Sequence, residues 1–164
     1  MEFSDLVKQL EGKFPGQLKT KVQFGCNYIY ANVDNFKEVI KSLKTDFDFK
    51  YIVDIVATHW PKKEEKFELT YNLFSIPNKL RVFVMVSVKE PVISTITDIY
   101  KGANFMEREE YDLMGITFEG HPDLRRILLP EFFKGHPLRK DYNLKDREWF
   151  NAVDEQGVGI SFSK

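Results

Sequence analysis

Cysteine is almost absent from this chain of 164 residues, and Cys26 stands alone. No internal disulfide can form, no zinc-thiolate or iron-sulphur site can be assembled from this chain alone, and a reducing compartment is the natural expectation. Only three histidines occur, His59, His121 and His136, and their spacing is not that of a metal site. No serine or cysteine nucleophile motif accompanies them. A glycine-rich phosphate loop is also missing, which leaves nucleotide binding unsupported. No window approaches the roughly 18 apolar residues needed to span a bilayer, and the start, Met1 to Asp5, lacks a basic stretch followed by an apolar one. Membrane association is therefore expected only through a partner. The net charge of −1 excludes a strongly basic nucleic-acid-coating chain.

What the chain does have is a hydrophobic content of 43% and fifteen phenylalanines. That composition suits one folded unit, which at this length buries roughly 70% of the surface its unfolded form exposes. The first half is regular. Phe3, Leu6, Val7, Leu10 and Phe14 share one helical face, and Pro15-Gly16 terminates it. Leu18, Thr20, Val22 and Phe24 alternate as a half-buried strand, with Tyr28 to Val33 as its hairpin partner across a turn at Gly25 to Asn27. Asp34 is positioned to cap a second helix carrying Phe36, Val39, Ile40 and Leu43. Three strands follow: Tyr51 to Thr58, β-branched and expected to be buried, then Phe67 to Ile76 and Leu80 to Val88. Asp54 is read as an edge-facing or hydrogen-bonded aspartate.

The order helix, two strands, helix, three strands, with short connections, predicts a two-layer α+β fold. Its five-stranded sheet is mixed or mostly antiparallel and is covered by helices. This core spans residues 1–90. After Pro91 the character changes, and residues 91–164 read as a helical and extended C-terminal docking arm within one structural unit. Val92, Ile96, Ile99 and Tyr100 suggest a short helix closed by Gly102. Asn104 with Glu107 resembles a capping box opening another, which Gly115 closes. Beyond lie two copies of one phrase, Gly120-His121-Pro122-Asp123-Leu124-Arg125-Arg126 and Gly135-His136-Pro137-Leu138-Arg139-Lys140-Asp141. This segment has anchors but no core of its own. It either wraps back over the domain or orders against another protein, and charge favours the second. Glu107 to Asp112 carries four acids against one arginine, whereas Arg125 to Lys140 carries five cations against Glu131.

Each chemical reading has a plainer rival. Pro122 and Pro137 hold His121 and His136 in extended backbone, which fits a structural turn better than a general base. The cluster Glu107, Glu109, Glu110 and Asp112 has the ligand type for a divalent cation, but a solvated or partner-facing acidic face is preferred. Phe132, Phe133 and Tyr142 among cations could stack on single-stranded nucleic acid, yet acids and prolines interrupt the stretch.

The run Gly102-Ala103-Asn104-Phe105-Met106-Glu107-Arg108-Glu109-Glu110-Tyr111-Asp112-Leu113-Met114-Gly115-Ile116 closely resembles the signature of the C-subunit family of respiratory complex I, the NADH-quinone oxidoreductase. Phe118 to Leu128 and Gly135 to Tyr142 continue the resemblance, as do Val53-Asp54-Ile55 and Leu69 to Leu73. Phe105 stands where the family commonly has tryptophan, and so does a phenylalanine of the Pro130 to Phe133 stretch, which costs an indole N–H donor. The resemblance implies a non-catalytic peripheral-arm subunit of a proton-translocating NADH-quinone oxidoreductase. It implies no cofactor in this chain, with FMN and iron-sulphur clusters in other subunits. It also implies docking on subunits D, B and I at the cytoplasmic face of the inner membrane. By carry-over, Glu107, Arg108, Glu109, Asp112 and Gly115 shape a docking helix, while His121, Pro122, Arg125, Arg126, His136, Pro137, Leu138, Arg139, Lys140, Asp141 and Tyr142 form a partner-facing arm. Membrane-bound nickel-iron hydrogenases and other complex-I-like machines use a homologous subunit and remain the alternative. Trp149, Phe150 and residues 157–164 match no usable motif.

Overall fold

A computed structural model describes residues 1–143 of the chain. The expectations for residues 149–164 lie outside the described residues. Helix α1 (Phe3–Lys13) buries Leu6 and Leu10, with Phe3 and Phe14 packed partly against the same core. Strands β1 (Lys19–Gln23) and β2 (Cys26–Tyr30) make an antiparallel hairpin, α2 (Phe36–Asp46) follows, and β3 (Tyr51–His59), β4 (Phe67–Ser75) and β5 (Leu80–Val88) complete a sheet of order β1-β2-β5-β4-β3. Every neighbouring pair is antiparallel except β2 and β5, which run parallel. The sheet is mixed and mostly antiparallel, as expected. Parallel pairing arises because the chain leaves β2, crosses through α2 to the far edge and returns through the β3–β4–β5 meander.

Alternation along the strands fixes the layers. Phe67, Leu69, Tyr71 and Leu73 of β4 and Val82, Val84, Val86 and Val88 of β5 are buried beneath the helices. Their alternating neighbours, such as Thr70, Phe83 and Met85, lie on the opposite, less buried face. Strand β3 departs from the expected burial. It is an edge strand with a register shift between Ile52 and Asp54, and only Ile55, Ala57 and His59 are buried while Tyr51, Val53 and Val56 are exposed. Its β-branched residues report strand propensity, and an edge position leaves half of them in water. Asp54 is exposed there and accepts the Ile55 N–H at 2.9 Å.

Three local expectations are corrected. The hairpin turn is tighter, a two-residue connection at Phe24-Gly25 between paired Gln23 and Cys26. Both turn residues have positive φ, 52° and 74°, the geometry that matches strand twist. A phenylalanine pays a steric penalty there, and Phe24 is 93% exposed. Phe24→Asn is expected to stabilise the chain by about 0.5–1 kcal/mol, measured by urea unfolding. Second, Asn35, not Asp34, precedes α2. Its side-chain oxygen accepts the Asn32 N–H at 2.9 Å rather than capping the helix.

Third, no helix forms over Val92 to Gly102. Val92–Ser94 is a strand, β6, parallel to β7 (Thr117–Glu119). The segment is β-branched, and β7 offers backbone partners that a lone helical turn lacks. Helix α3 (Ala103–Met114) lies between them with Gly102 at its N-cap and no side-chain cap, so the capping box is not formed. Gly115 does close it, in the left-handed conformation at φ 73°. Ile93, Ile96, Ile99, Tyr100, Ala103, Met114, Ile116 and Phe118 belong to the same hydrophobic cluster as the sheet. No helix among the described residues is long and apolar enough to cross a membrane.

Candidate partner-docking surface

The acidic helix does not present a solvated acidic face. Glu107, Glu110 and Asp112 are buried, and only Glu109 of the four acids is exposed. Asp112 is the hub of the segment after β7. Its Oδ1 takes the Arg126 Nη1 at 2.7 Å, and its Oδ2 accepts the backbone N–H groups of Ile127, Leu128 and Leu129 at 3.0, 2.8 and 2.8 Å. Three consecutive N–H groups converging on one oxygen form an anion-holding concavity. Burial alone would raise this carboxyl, but those donors and the Arg126 guanidinium hold it below the usual carboxylate range.

Two cations are turned inward by backbone carbonyls. Arg126 also donates to the carbonyls of Asp112 and Gly135, and Arg108 donates to those of Arg125 and Arg126. Arg125 stays exposed beside Asp123 at 3.0 Å. Pro122 is exposed and Pro137 half-buried. His121 has a fully buried side chain. Its Nδ1 accepts the Asp123 N–H at 3.0 Å, which leaves Nε2 to donate to the Asn104 carbonyl at 3.1 Å. His136 donates Nδ1–H to the Asp112 carbonyl at 2.9 Å and packs edge-on to Tyr111. These are structural histidines, each with its proton committed to a carbonyl.

The end of the segment reaches the edge of the sheet where β3 ends and β4 begins. Leu138 N–H bonds to the Leu113 carbonyl, and Lys140 N–H donates to His59 Nδ1 at 3.2 Å. His59 stacks on Phe67 with ring centroids 4.6 Å apart, and Arg139 lies over the same Phe67 ring at 5.2 Å. Two parallel bonds of 2.9 Å tie Arg139 to Asp141, and Tyr142 packs on Phe133. Burial pushes the His59 imidazole below its ordinary pKa. Residues 120–143 therefore wrap back over their own domain. The two charge blocks, which could pair with each other or with a partner, pair with each other through Asp112 and Arg126, although their layout favoured the partner.

That wrapping leaves an apolar surface outside. Leu128 is 61% exposed, Leu138 56% and Phe132 50%, with Phe105 and Ile127 also exposed. A chain whose backbone is pinned at Asp112 presents these side chains without further ordering cost. Of this set only Leu138 is among the partner-facing residues that the family resemblance implies, and neither His59 nor Glu110 is among them. Glu110 lies within the acidic run all the same. His59 carries no local signal, since its contact with Lys140 spans most of the chain. No group of three or more His, Cys, Asp or Glu among the described residues is placed to hold a metal ion.

Residues 29–148 match the family described as respiratory-chain NADH dehydrogenase, 30 Kd subunit. This chain belongs to that family. The C-subunit of NADH-quinone oxidoreductase from Geobacter metallireducens is 44% identical over 148 residues, covering 88% of this chain and 91% of its own length. Subunit 5 of the Thermus thermophilus enzyme is 47% identical over 122 residues, 68% of this chain and 58% of that protein. Among solved structures, a trypsin-resistant fragment of Nqo5 aligns with a TM-score of 0.67 at 33% identity, covering 76% of this chain and all of the fragment. A chain of the archaeal membrane-bound sulfane sulfur reductase shares the fold alone, with a TM-score of 0.77 at 22% identity over the whole of this chain and 96% of that one. The α+β fold described above is thus that of a member of the 30 Kd subunit family.

Proposed function

We propose that this chain is the non-catalytic docking subunit of a proton-translocating NADH-quinone oxidoreductase. In this reading it sits peripherally at the cytoplasmic face of the inner membrane, positions the quinone-site and terminal-cluster partners, subunits D and B, and lies beside the I-subunit. FMN and the iron-sulphur clusters belong to other subunits of the assembly. The observation that carries the reading is the segment 120–143, fastened by Asp112 so that Leu128, Phe132 and Leu138 stay exposed. Membership of the subunit family supplies the assembly. Preorganised apolar anchors rimmed by Arg125, Lys140 and Asp141 suit a protein interface better than a reaction. The carry-over residues then divide by role: Glu107, Arg108, Asp112, Gly115, His121, Arg126, His136, Pro137, Arg139 and Tyr142 build the surface from within, while Glu109, Pro122, Arg125, Leu138, Lys140 and Asp141 are on it or at its rim.

Capture from native membranes tests this. Tagged wild-type chain is expected to bring down material that reduces quinone with NADH and carries flavin and iron-sulphur absorbance. Leu128→Ser with Leu138→Ser is expected to lower capture at least tenfold, because two interface side chains each contribute about 1–2 kcal/mol, while unfolding of the isolated chain barely changes. Undiminished capture by the double variant would remove this surface from the interface. A second reading, the homologous subunit of another complex-I-like machine, is favoured by the full-length fold likeness to the sulfane sulfur reductase chain. Captured material that ignores NADH would select it.

A further inference from the structure

Two carboxylates of α3 face the interior with no lysine or arginine paired to either among the described residues. Glu107 is fully buried, its Oε2 accepting the Thr95 hydroxyl at 2.5 Å and its Oε1 the Ile96 N–H at 2.8 Å. Glu110, three residues on and therefore on the same helical face, is 9% exposed, and its Oε2 has no hydrogen-bond partner. From the sheet, the fully buried Tyr71 hydroxyl of β4 is likewise unpartnered and sits in the field of both carboxylates. Three polar groups, two with orphaned atoms, thus share the contact between α3 and the sheet. Buried unsatisfied atoms cost about 1–3 kcal/mol each, so such a cluster calls for an account.

The charges around it do not supply one. Strand β3 contributes Asp54, which disfavours a second negative charge, and the Ala57 N–H, which favours one. The link before α3 contributes Asp98, and α2 contributes Lys37, but these two pair with each other at 3.0 Å. The loop after β7 brings His121 Nε2 to 4.0 Å from Glu107 Oε2, with its proton already committed to Asn104. On α3 itself the neighbour is Glu109, a further negative charge. Of the lysines and arginines among the described residues, only Lys37 acts on either acid, and Asp98 shares it.

We propose that α3 is held on the sheet by a proton-dependent latch: Glu110, with Glu107 beside it, is a neutral carboxylic acid while α3 is seated, and proton loss loosens α3 and the segment that Asp112 fastens to it. A protonated Glu110 carries a donor of its own and no charge, which suits a buried oxygen without a partner better than a carboxylate does. Burial pushes Glu107 up to about 7 and Glu110 up to about 8, the latter assisted by Glu109 and Asp54. A carboxyl whose folded pKa lies above its unfolded value loses stability as pH rises between the two. The loss therefore begins above the ordinary glutamate range and is complete just past pH ~8. The latch does not depend on what docks at Leu128 and Leu138.

Amide exchange of the full chain, expressed as protection relative to the unstructured rate, tests it. Between pH ~6 and ~9, protection of α3 and of the Ile127 to Leu129 amides is expected to fall roughly tenfold or more in the wild type, and by a several-fold smaller factor in Glu110→Gln, where only Glu107 can still ionise. Flat wild-type protection overturns the proposal, as does an unchanged fall in the variant. Should Glu110→Gln fail to fold, the infrared carbonyl band of protonated carboxylic acid decides. A band in the wild type at pH ~6.5 that vanishes by ~9 supports the latch, and its absence at both overturns it.

Discussion

Asp112→Ala is expected to destabilise the chain by about 3–5 kcal/mol, because it removes one side of a buried ion pair and strands the donors that converge on it. Arg126, whose side chain is 16% exposed, would keep as hydrogen-bond acceptors only the carbonyl of Gly135 and that of residue 112. The Ile127, Leu128 and Leu129 N–H groups would lose their shared acceptor. A loss of that size is a large fraction of the roughly 5–15 kcal/mol that holds a domain together. Urea unfolding measures it. Exchange of the three amides locates it, with their protection collapsing before that of β4 and β5. The same substitution changes the acid limb. Because the Asp112 carboxyl is held below its ordinary pKa, its contribution is complete above the unfolded value and is lost as pH falls through the folded one. Asp112→Ala is therefore expected to flatten the stability profile below pH ~4. A loss under about 1 kcal/mol would show that the hub is dispensable.

Gly115→Ala is the second large effect, and it acts through backbone and space together. At φ 73° an L-residue costs about 1–2 kcal/mol. A Cβ built there would also stand 2.6 Å from His136 Cδ2 and 2.9 Å from Cγ, inside any ordinary contact. The imidazole cannot simply step aside, since its Nδ1–H is bonded to the Asp112 carbonyl. With the overpacking added, the expected loss is about 2–4 kcal/mol in urea unfolding. Combining it with His136→Ala removes the clash and the ring contact together. The double variant should then lose less than the sum of the two singles, a coupling read from the double-mutant cycle. Strict additivity would disprove the packing argument and leave backbone strain alone.

Much of the frame was legible in the residues. The apolar spacing of Leu6 and Leu10, and of Phe36, Val39, Ile40 and Leu43, gave both helices, because a buried stripe must recur near every 3.6 residues. Val82, Val84, Val86 and Val88 marked β5 to the residue. Gly115 ended α3 because few residues other than glycine adopt its φ readily. Val92, Ile96, Ile99 and Tyr100 also fit a helical spacing, yet β-branching and a partner in Thr117–Glu119 made strand pairing the better outcome. A short apolar set satisfies either period, so the competing partner decides.

The candidate surface was legible in place but not in orientation. The acidic run and the two His-Pro phrases located it, and family resemblance named its setting. Which acids turn inward was invisible, because glutamate and aspartate on a helix look alike until the N–H groups that receive them are known. Asp112 meets its donors 14 to 17 residues along the chain, and His59 meets Lys140 after 81. By itself the sequence determined most of the element types, the α+β class, the helix stop at Gly115 and the family, all consequences of local periodicity, glycine stereochemistry or an ungapped motif. Only the tertiary structure decided the parallel β2–β5 pair, the exposed edge at β3, the burial of Glu107, Glu110 and Asp112, and the folding of residues 120–143 onto α3. Those outcomes depend on which groups distant in sequence desolvate one another, and local pattern carries no record of that.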